Sequence, residues 1–294
     1  MKLPALLLVL ITLAAAPFAH AEHDETALRE KAQKLADSLN YQKGEITLKG
    51  GLAKIHVPEE FRFLNAKDAE TVLSRLWGNP PDSSTLGMLL PAKISPASEE
   101  AWAVVITYDE DGYVKDDEAE KMDYDKVLKT MKEDTREGSK AREKEGYPSI
   151  ELVGWATPPH YDKATHKIYW AKELKVNGGG GENSLNYNIR MLGRRGVLVL
   201  NAVAGMGQIA DIEAATPAVL AMVDFQEGHR YTDFNASTDK VATYGIAALV
   251  AGGLAAKAGL FKGLFVALLA AKKVVFVACV AVAAWVKKLF AKKA

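Results

Sequence analysis

Apolar and polar residues alternate along several stretches of this chain, which is the pattern of β-strands with one buried face. The clearest stretch is Leu185–Leu192, where leucine, tyrosine, isoleucine and methionine alternate with two asparagines and an arginine. Glycines separate neighbouring stretches, and Gly193–Gly196 has the composition of a tight hairpin turn. Strands are therefore predicted at Glu45–Leu48, Leu52–Val57, Ala101–Tyr108, Ile150–Ala156, Lys167–Val176, Leu185–Leu192 and Gly196–Ala202.

Other stretches repeat their apolar residues at the helical period. Asn65 is a typical N-cap for a helix that ends at Trp77, before a glycine, an asparagine and two prolines. A long charged helix is predicted to start from Asp116 or Asp117 as its cap and to continue through Ala141. Helices at Thr26–Leu39 and Gln208–Val223 complete the set. Helices inserted between consecutive hairpins predict an α+β fold, with a mainly antiparallel sheet and flanking helices, in one domain over residues 22–240.

The first 21 residues have the composition of a signal peptide. Lys2 precedes a short apolar run, and Ala19-His20-Ala21 fits the small-x-small cleavage pattern. The alternative is an uncleaved membrane anchor, which the short run and Pro17 disfavour. Export is therefore predicted, with a mature chain that begins at Glu22.

The C-terminal part is apolar and free of carboxylates from residue 241 onward. Residues 241–261 are predicted to form a transmembrane helix, since about 20 apolar residues cross a bilayer; a buried core helix is the alternative. Residues 262–294 are predicted to form a lysine-rich helix in the headgroup plane, with a second membrane segment as the alternative. Small residues at Ala248, Gly252 and Ala256 leave self-association through the span open.

Charge is distributed unevenly along the chain, although the formal net charge is +0. All 37 acidic residues lie between Glu22 and Asp239, whereas the charged residues after 240 are all lysines. The domain lacks the basic face that nucleic acid requires, which excludes nucleic acid as a partner. The basic tail favours a cytoplasmic C-terminus, with the domain on the other side of the membrane. The single cysteine, Cys279, leaves the domain without a disulfide.

Five stretches of the chain resemble one bacterial family of predicted membrane-anchored proteins, the domain of unknown function 2167. They occur in the family's order over nearly the whole mature chain. The resemblance implies export, a C-terminal anchor in the cytoplasmic (inner) membrane and no assigned activity, so no catalytic residue is carried over. The matching stretches are Trp77–Pro81 and residues 109–125, 146–174, 185–204 and 227–253.

Residues 107–118 resemble a calcium-binding loop. Asp109, Asp111, Gly112 and Glu118 stand at positions 3, 5, 6 and 12 of the EF-hand pattern. Thr107 replaces the first carboxylate, and a strand rather than a helix precedes it. An acidic turn followed by a helix cap explains the same residues without metal. Asp109, Asp111 and Glu118 are therefore candidate metal ligands, and calcium is the candidate cofactor.

The polar face of Leu185–Leu192 is the candidate binding site. Asn186, Asn188 and Arg190 project from this face, either towards a ligand or partner or into solvent. The zinc-type side chains of His160, Asp162 and His166 have no recognised ligand spacing.

Taken together, the sequence favours a membrane-anchored envelope protein whose domain is a non-catalytic binding or interaction module. Its predicted partners are the lipid bilayer and an unknown envelope protein or ligand. The alternatives are an enzyme of an unrecognised class and a calcium-binding module through the loop at 107–118. The class of such an enzyme is unrecognised because the sequence contains no nucleophile elbow, phosphate-binding glycine loop or H-E-x-x-H motif.

Overall fold

The computed structural model describes residues 16–79, 83–144, 146, 148–177 and 182–251. Its helices are α1 (Ala16–Asp37), α2 (Ala66–Glu70, continued by a π-helical segment at Thr71–Leu76), α3 (Tyr124–Lys144), α4 (Ile209–Met222) and α5 (Ile246–Ala251). Its strands are β1 (Gly44–Thr47), β2 (Ala53–Val57), β3 (Phe61–Asn65), β4 (Thr85–Pro91), β5 (Ala103–Asp109), β6 (Ile150–Asp162), β7 (Lys167–Val176), β8 (Ser184–Leu192), β9 (Val197–Gly205) and β10 (Val223–Phe225). Short 3₁₀ turns lie at Lys49–Gly51, Ala119–Lys121, Met206–Gln208 and Tyr231–Asp233.

A seven-stranded sheet in the order β3-β4-β5-β9-β8-β7-β6 forms the centre of the domain. A smaller sheet in the order β1-β2-β10 accompanies it. The pairings between these described strands are antiparallel, and the helices flank the sheet. The predicted α+β fold with a mainly antiparallel sheet is therefore confirmed.

The two faces of the large sheet are covered differently. One face packs against the small sheet and α4, with Ile55 and Ile212 among the residues that contact Leu185 and Leu200 in this core. The other face has two separate coverings. At the β4 end, Val72 and its neighbours around α2 pack on the sheet. At the β7 end, α3 and α5 pack on it through residues that include Val127, Met131, Ile246 and Leu249.

Most predicted elements are present, with changed bounds. Strand β7 has the predicted bounds, and the hairpin at Gly193–Gly196 closes through a bond from Gly193 N to Gly196 O of 2.8 Å. The long helix does not start from Asp116 or Asp117; α3 starts at Tyr124, and Asp123 Oδ1 accepts from Lys126 N at 3.0 Å. Strands β3, β4 and β10 were not predicted.

The apolar C-terminal sequence starts inside the domain. Val241 pairs with Tyr113, and α5 buries Ile246, Leu249 and Val250 against the sheet and α3. In the described part of the chain, no helix has the length and apolarity to cross a membrane. The rest of the predicted span, the lysine-rich segment 262–294 and most of the signal peptide lie outside the described residues, so anchoring and cleavage stay predictions.

Asn65 is the N-cap of α2, as predicted. Its side-chain oxygen accepts from Lys67 N at 3.0 Å and from Asp68 N at 3.1 Å. We expect Asn65→Ala to lower the free energy of unfolding by about 1 kcal/mol, because two helix amides lose their acceptor. Urea unfolding measures this loss.

The matched control is Asn40→Ala. The exposed Asn40 side chain makes no hydrogen bond within the described residues, so its loss should change stability little. Equal effects of the two substitutions would contradict the capping role.

Candidate functional site

The predicted calcium loop is not assembled as a metal site. Asp109 pairs with Val197 at the end of β5, and Asp111 Oδ2 accepts from the Tyr244 hydroxyl at 3.0 Å. Within the described ranges, no three His, Cys, Asp or Glu side chains are grouped so that they could hold a metal ion. Calcium binding by Asp109, Asp111 and Glu118 therefore stays a prediction without support from the arrangement of these residues.

The zinc-type residues are also separated. Asp162 closes the turn between β6 and β7, accepting from Ala164 N at 2.9 Å and Thr165 Oγ1 at 2.7 Å. His166 instead lies beside Asp116, with 3.4 Å between His166 Nδ1 and Asp116 Oδ2. His166 and Asp116 thus connect the β6–β7 turn to the loop after β5.

A cavity of about 480 Å³ lies between the C-terminal half of α3 and the start of β6. Its lining mixes exposed charges of both signs, such as Arg136 and Glu151. Its buried hydroxyl, that of Ser139, already donates to Ile150 O and accepts from Ile150 N. The buried hydroxyl of the cavity therefore needs no ligand to complete its hydrogen bonds, unlike the polar groups at the centre of the sheet that are described next.

The candidate binding residues Asn186, Asn188 and Arg190 lie on the helix-covered face of β8. Asn186 is 0% exposed and Asn188 is 2% exposed, so the solvated alternative for this face is wrong. The reason is the position of β8, which is paired on both sides and lies beneath the two helical coverings. Two asparagine side chains are therefore held inside the protein, and Arg190 beside them is half-buried.

Neighbouring strands add further polar residues to the same face. Lys172 on β7 is paired with Asn186, and Asn201 on β9 is paired with Asn188. Ser184 precedes Asn186 by two positions on β8 and is 0% exposed. We call this group the polar patch; its members are Lys172, Ser184, Asn186, Asn188, Arg190 and Asn201.

The sequence contained a signal for two of the three patch residues that were missed, Lys172 and Asn201 but not Ser184. In β7, Lys172 occupies the same alternation phase as Ile168, Trp170 and Leu174, which are apolar and buried. In β9, Asn201 is the polar residue within the otherwise apolar run VLVLNAVA. A polar residue in an apolar phase marks a buried polar position.

Some members of the polar patch bind each other. Asn188 Nδ2 donates to Asn186 O at 3.0 Å and to Asn186 Oδ1 at 2.9 Å. Arg190 Nη2 donates to Asn188 Oδ1 at 3.4 Å, and Arg190 Cζ lies 5.1 Å from the centre of the Trp170 ring. The guanidinium therefore lies along β8 towards the asparagines, over an aromatic surface.

Other atoms of the patch have no hydrogen-bond partner among the described residues. The atoms concerned are Ser184 Oγ, Asn186 Nδ2 and Asn201 Oδ1, and the adjacent Trp170 Nε1 is in the same state. Lys172 makes no hydrogen bond or ion pair there, although it is only 9% exposed. Each unsatisfied buried group lowers the folding stability by about 1–3 kcal/mol, so several of them in one place destabilise the ligand-free protein.

The electrostatics of the patch follow from burial. Burial lowers the pKa of Lys172 to about 7, and the charge of Arg190 acts in the same direction. Burial also lowers the pKa of Arg190 to about 10, whereas Asp109 and Tyr244 act to raise it. The carboxylate of Asp109 thus acts on Arg190, whereas no carboxylate among the described residues acts on Lys172.

Comparisons with known proteins identify a family but no function. The family model described as "Protein of unknown function (DUF2167)" matches residues 40–283. No curated protein matches the chain. The solved structures that match this chain have low identity and low TM-scores, so they permit no conclusion about its fold or activity.

Three of these structures illustrate the likeness. Cyanobacterial PsbP (CyanoP) from Synechocystis sp. PCC 6803 is 11% identical, with 64% of this chain and 93% of that chain covered and a TM-score of 0.34. The Saccharomyces cerevisiae Ran-binding protein Mog1p is 10% identical, with coverages of 67% and 100% and a TM-score of 0.34. LpqN of Mycobacterium tuberculosis, described as involved in cell envelope biogenesis, is 14% identical, with coverages of 66% and 96% and a TM-score of 0.32.

Proposed function

We propose a function for this chain, which belongs to the DUF2167 family of proteins of unknown function. It is a non-catalytic binding domain attached to a bacterial membrane outside the cytosol. The observation that supports binding is the polar patch, where buried polar groups lack partners. Native proteins satisfy roughly 90% or more of such groups. Their concentration at the centre of one sheet favours a site that a ligand completes.

The chemistry of the patch favours binding over catalysis. General acid–base catalysis needs a proton donor and acceptor with matched pKa values. The patch contains no His, Cys, Asp or Glu, and Lys172 is its member with a pKa near neutrality. Lys172 could exchange a proton, but the patch offers it no carboxylate, imidazole or thiol as a second titratable group, so its amide groups and two cations favour binding of a polar molecule.

Membrane attachment is proposed through the apolar sequence that follows Ala251. Because Val241–Ala251 packs on the domain, the proposed membrane segment starts after Ala251 and not at residue 241. The sequence beyond Ala251 has no carboxylate, contains long apolar runs and ends in lysines. A signal peptide over residues 1–21 is the corresponding proposal for export.

One experiment tests both parts on the full chain, expressed with its N-terminal segment in a bacterial host. We expect the protein in the membrane fraction, released by detergent and not by salt. Native mass spectrometry of the released protein is expected to detect a non-covalently bound small molecule. The substitution Lys172→Met should abolish this bound species, because the patch then loses its unpaired cation.

The matched control is Lys175→Met, an exposed lysine on the same strand, which should retain the bound species. Recovery of the protein from the cytosolic fraction would contradict the membrane part of the proposal. Identical spectra for the parent and Lys172→Met proteins would contradict binding at the polar patch.

A further inference from the structure

We infer that the polar patch binds a phosphate group, an inference that rests on the proposed binding function. Among the described residues, the groups of the patch that have no partner are mainly hydrogen-bond donors: the buried Asn186 Nδ2 and Trp170 Nε1, together with the Lys172 ammonium. The Ser184 hydroxyl adds a group that either donates or accepts. A ligand that completes this set is therefore rich in acceptor oxygens.

The charges of the patch select an anion. Lys172 has no carboxylate beside it, and its charged neighbour is another cation, Arg190. Asp109 acts on Arg190 and leaves Lys172 uncompensated. Because Lys172 is buried and Arg190 is half-buried, salt screens their attraction for an anion less than that of exposed charges. A local site of this kind binds an anion even though the domain as a whole is acidic.

The strand register limits where an anion can contact both cations. Lys172 is paired with Asn186 and Asn201 with Asn188, so their Cα atoms lie on either side of β8, roughly 12 Å apart once the two-residue offset is included. Arg190 extends from its position on β8 towards Asn188, between those two strands. Lys172 keeps 9% exposure whereas Asn186 has 0%, so entry is from the side of the cations.

The single unpartnered acceptor distinguishes phosphate from other anions. Asn201 Oδ1 is buried without a donor, and it lies next to the Asn188 amide on the paired strand. A monohydrogen phosphate group offers acceptor oxygens together with one O–H donor, which matches the set. Sulfate has the same shape but no proton at neutral pH, and would leave the Asn201 oxygen unsatisfied.

Free phosphate, a soluble phosphate monoester and the phosphatidic acid headgroup share the acceptor oxygens, and each has the O–H donor when it is singly protonated. The test is calorimetric titration of the detergent-solubilised full chain at pH 7 and constant ionic strength. The probes are inorganic phosphate, sulfate, glycerol 3-phosphate, and phosphatidylcholine vesicles with and without phosphatidic acid. We expect inorganic phosphate to bind at least tenfold more tightly than sulfate, and the strongest of the phosphate probes identifies the source.

Two variants locate the site. Lys172→Met should weaken phosphate binding roughly tenfold to hundredfold, since a charge-assisted hydrogen bond is lost, whereas Lys175→Met should leave it unchanged. Asn201→Leu should remove the preference for phosphate over sulfate. Thermal unfolding of each variant verifies that it is folded.

Three results would overturn the inference: no heat with any phosphate probe, equal affinity for sulfate, or unchanged binding in Lys172→Met. If the parent protein carries a bound species that Lys172→Met loses, but phosphate does not bind, the phosphate inference fails and the binding function stands. If no species is bound and no probe binds, ordered water completes the patch and both fail.

Discussion

Replacement of Lys172 by methionine is expected to raise the free energy of unfolding of the ligand-free protein by about 5 kcal/mol at pH 6. Its ammonium has no hydrogen-bond or ion-pair partner among the residues that the structure describes, and its pKa falls from 10.5 to about 7 in the folded protein. Each pKa unit corresponds to about 1.4 kcal/mol of unfavourable interaction with the charged form. Methionine fills a similar volume without a charge.

The sign of the pH dependence follows from proton binding. Below pH 7 the lysine is charged in both states, so the full cost is present. Between about pH 7 and 10.5 the unfolded chain binds the proton and the folded protein does not, so the parent protein gains stability as pH rises. The advantage of Lys172→Met should therefore shrink over this range and be small near pH 10.

Urea unfolding at pH 6, 8 and 9.5 measures this trend, with Lys175→Met as the exposed control on the same strand. The control should change stability by less than about 0.5 kcal/mol. A gain of equal size at pH 6 and pH 9.5, or a loss at either, would show that Lys172 is not a buried, unpaired cation.

Replacement of Gly196 by alanine is expected to destabilise the domain by about 3 kcal/mol. A Cβ atom at this position would lie 2.1 Å from Asp109 O and 2.9 Å from the Tyr108 hydroxyl. The first of these is a backbone atom in the β5–β9 ladder, so relief of the clash requires the two strands to separate. This hairpin also joins β8 to β9, and the polar patch depends on both.

The matched control is Gly154→Ala in the edge strand β6. A Cβ atom there meets nothing within 4 Å, and alanine reduces the entropy of the unfolded chain. We expect Gly154→Ala to be neutral or to stabilise by up to about 1 kcal/mol. The comparison is made by measuring the urea unfolding midpoints of both variants and of the parent protein. Equal shifts for the two variants would rule out the close contact at Gly196.

The limits of prediction from sequence are clear at β4 and β8. Strand β8 alternates, so its bounds and its two faces were predictable. Met88, Leu89 and Leu90 of β4 are all 0% exposed, because the two faces of this strand are buried in different clusters. Such a run has no period of two, and a buried helix has the same composition.

Three residues of the candidate site could be predicted from the sequence, but their burial could not. Asn186, Asn188 and Arg190 could be assigned to one face, yet their burial depends on helices that are distant in sequence. Asp116 shows the same limit, because local sequence fits a helix cap, whereas tertiary contacts place it beside Tyr161 and His166. The apolar residues of α5 likewise match a membrane span and a buried helix equally well.

The pairing of Tyr113 with Val241 has a mechanical consequence. Tyr113 N donates to Lys240 O at 2.8 Å, Ala242 N donates to Tyr113 O at 2.9 Å, and α5 then packs down as far as Ala251. Residues 241–251 are therefore held against the folded body and do not serve as a free linker. If the sequence beyond Ala251 enters a bilayer, these eleven residues add nothing to the distance between the body and the lipid surface.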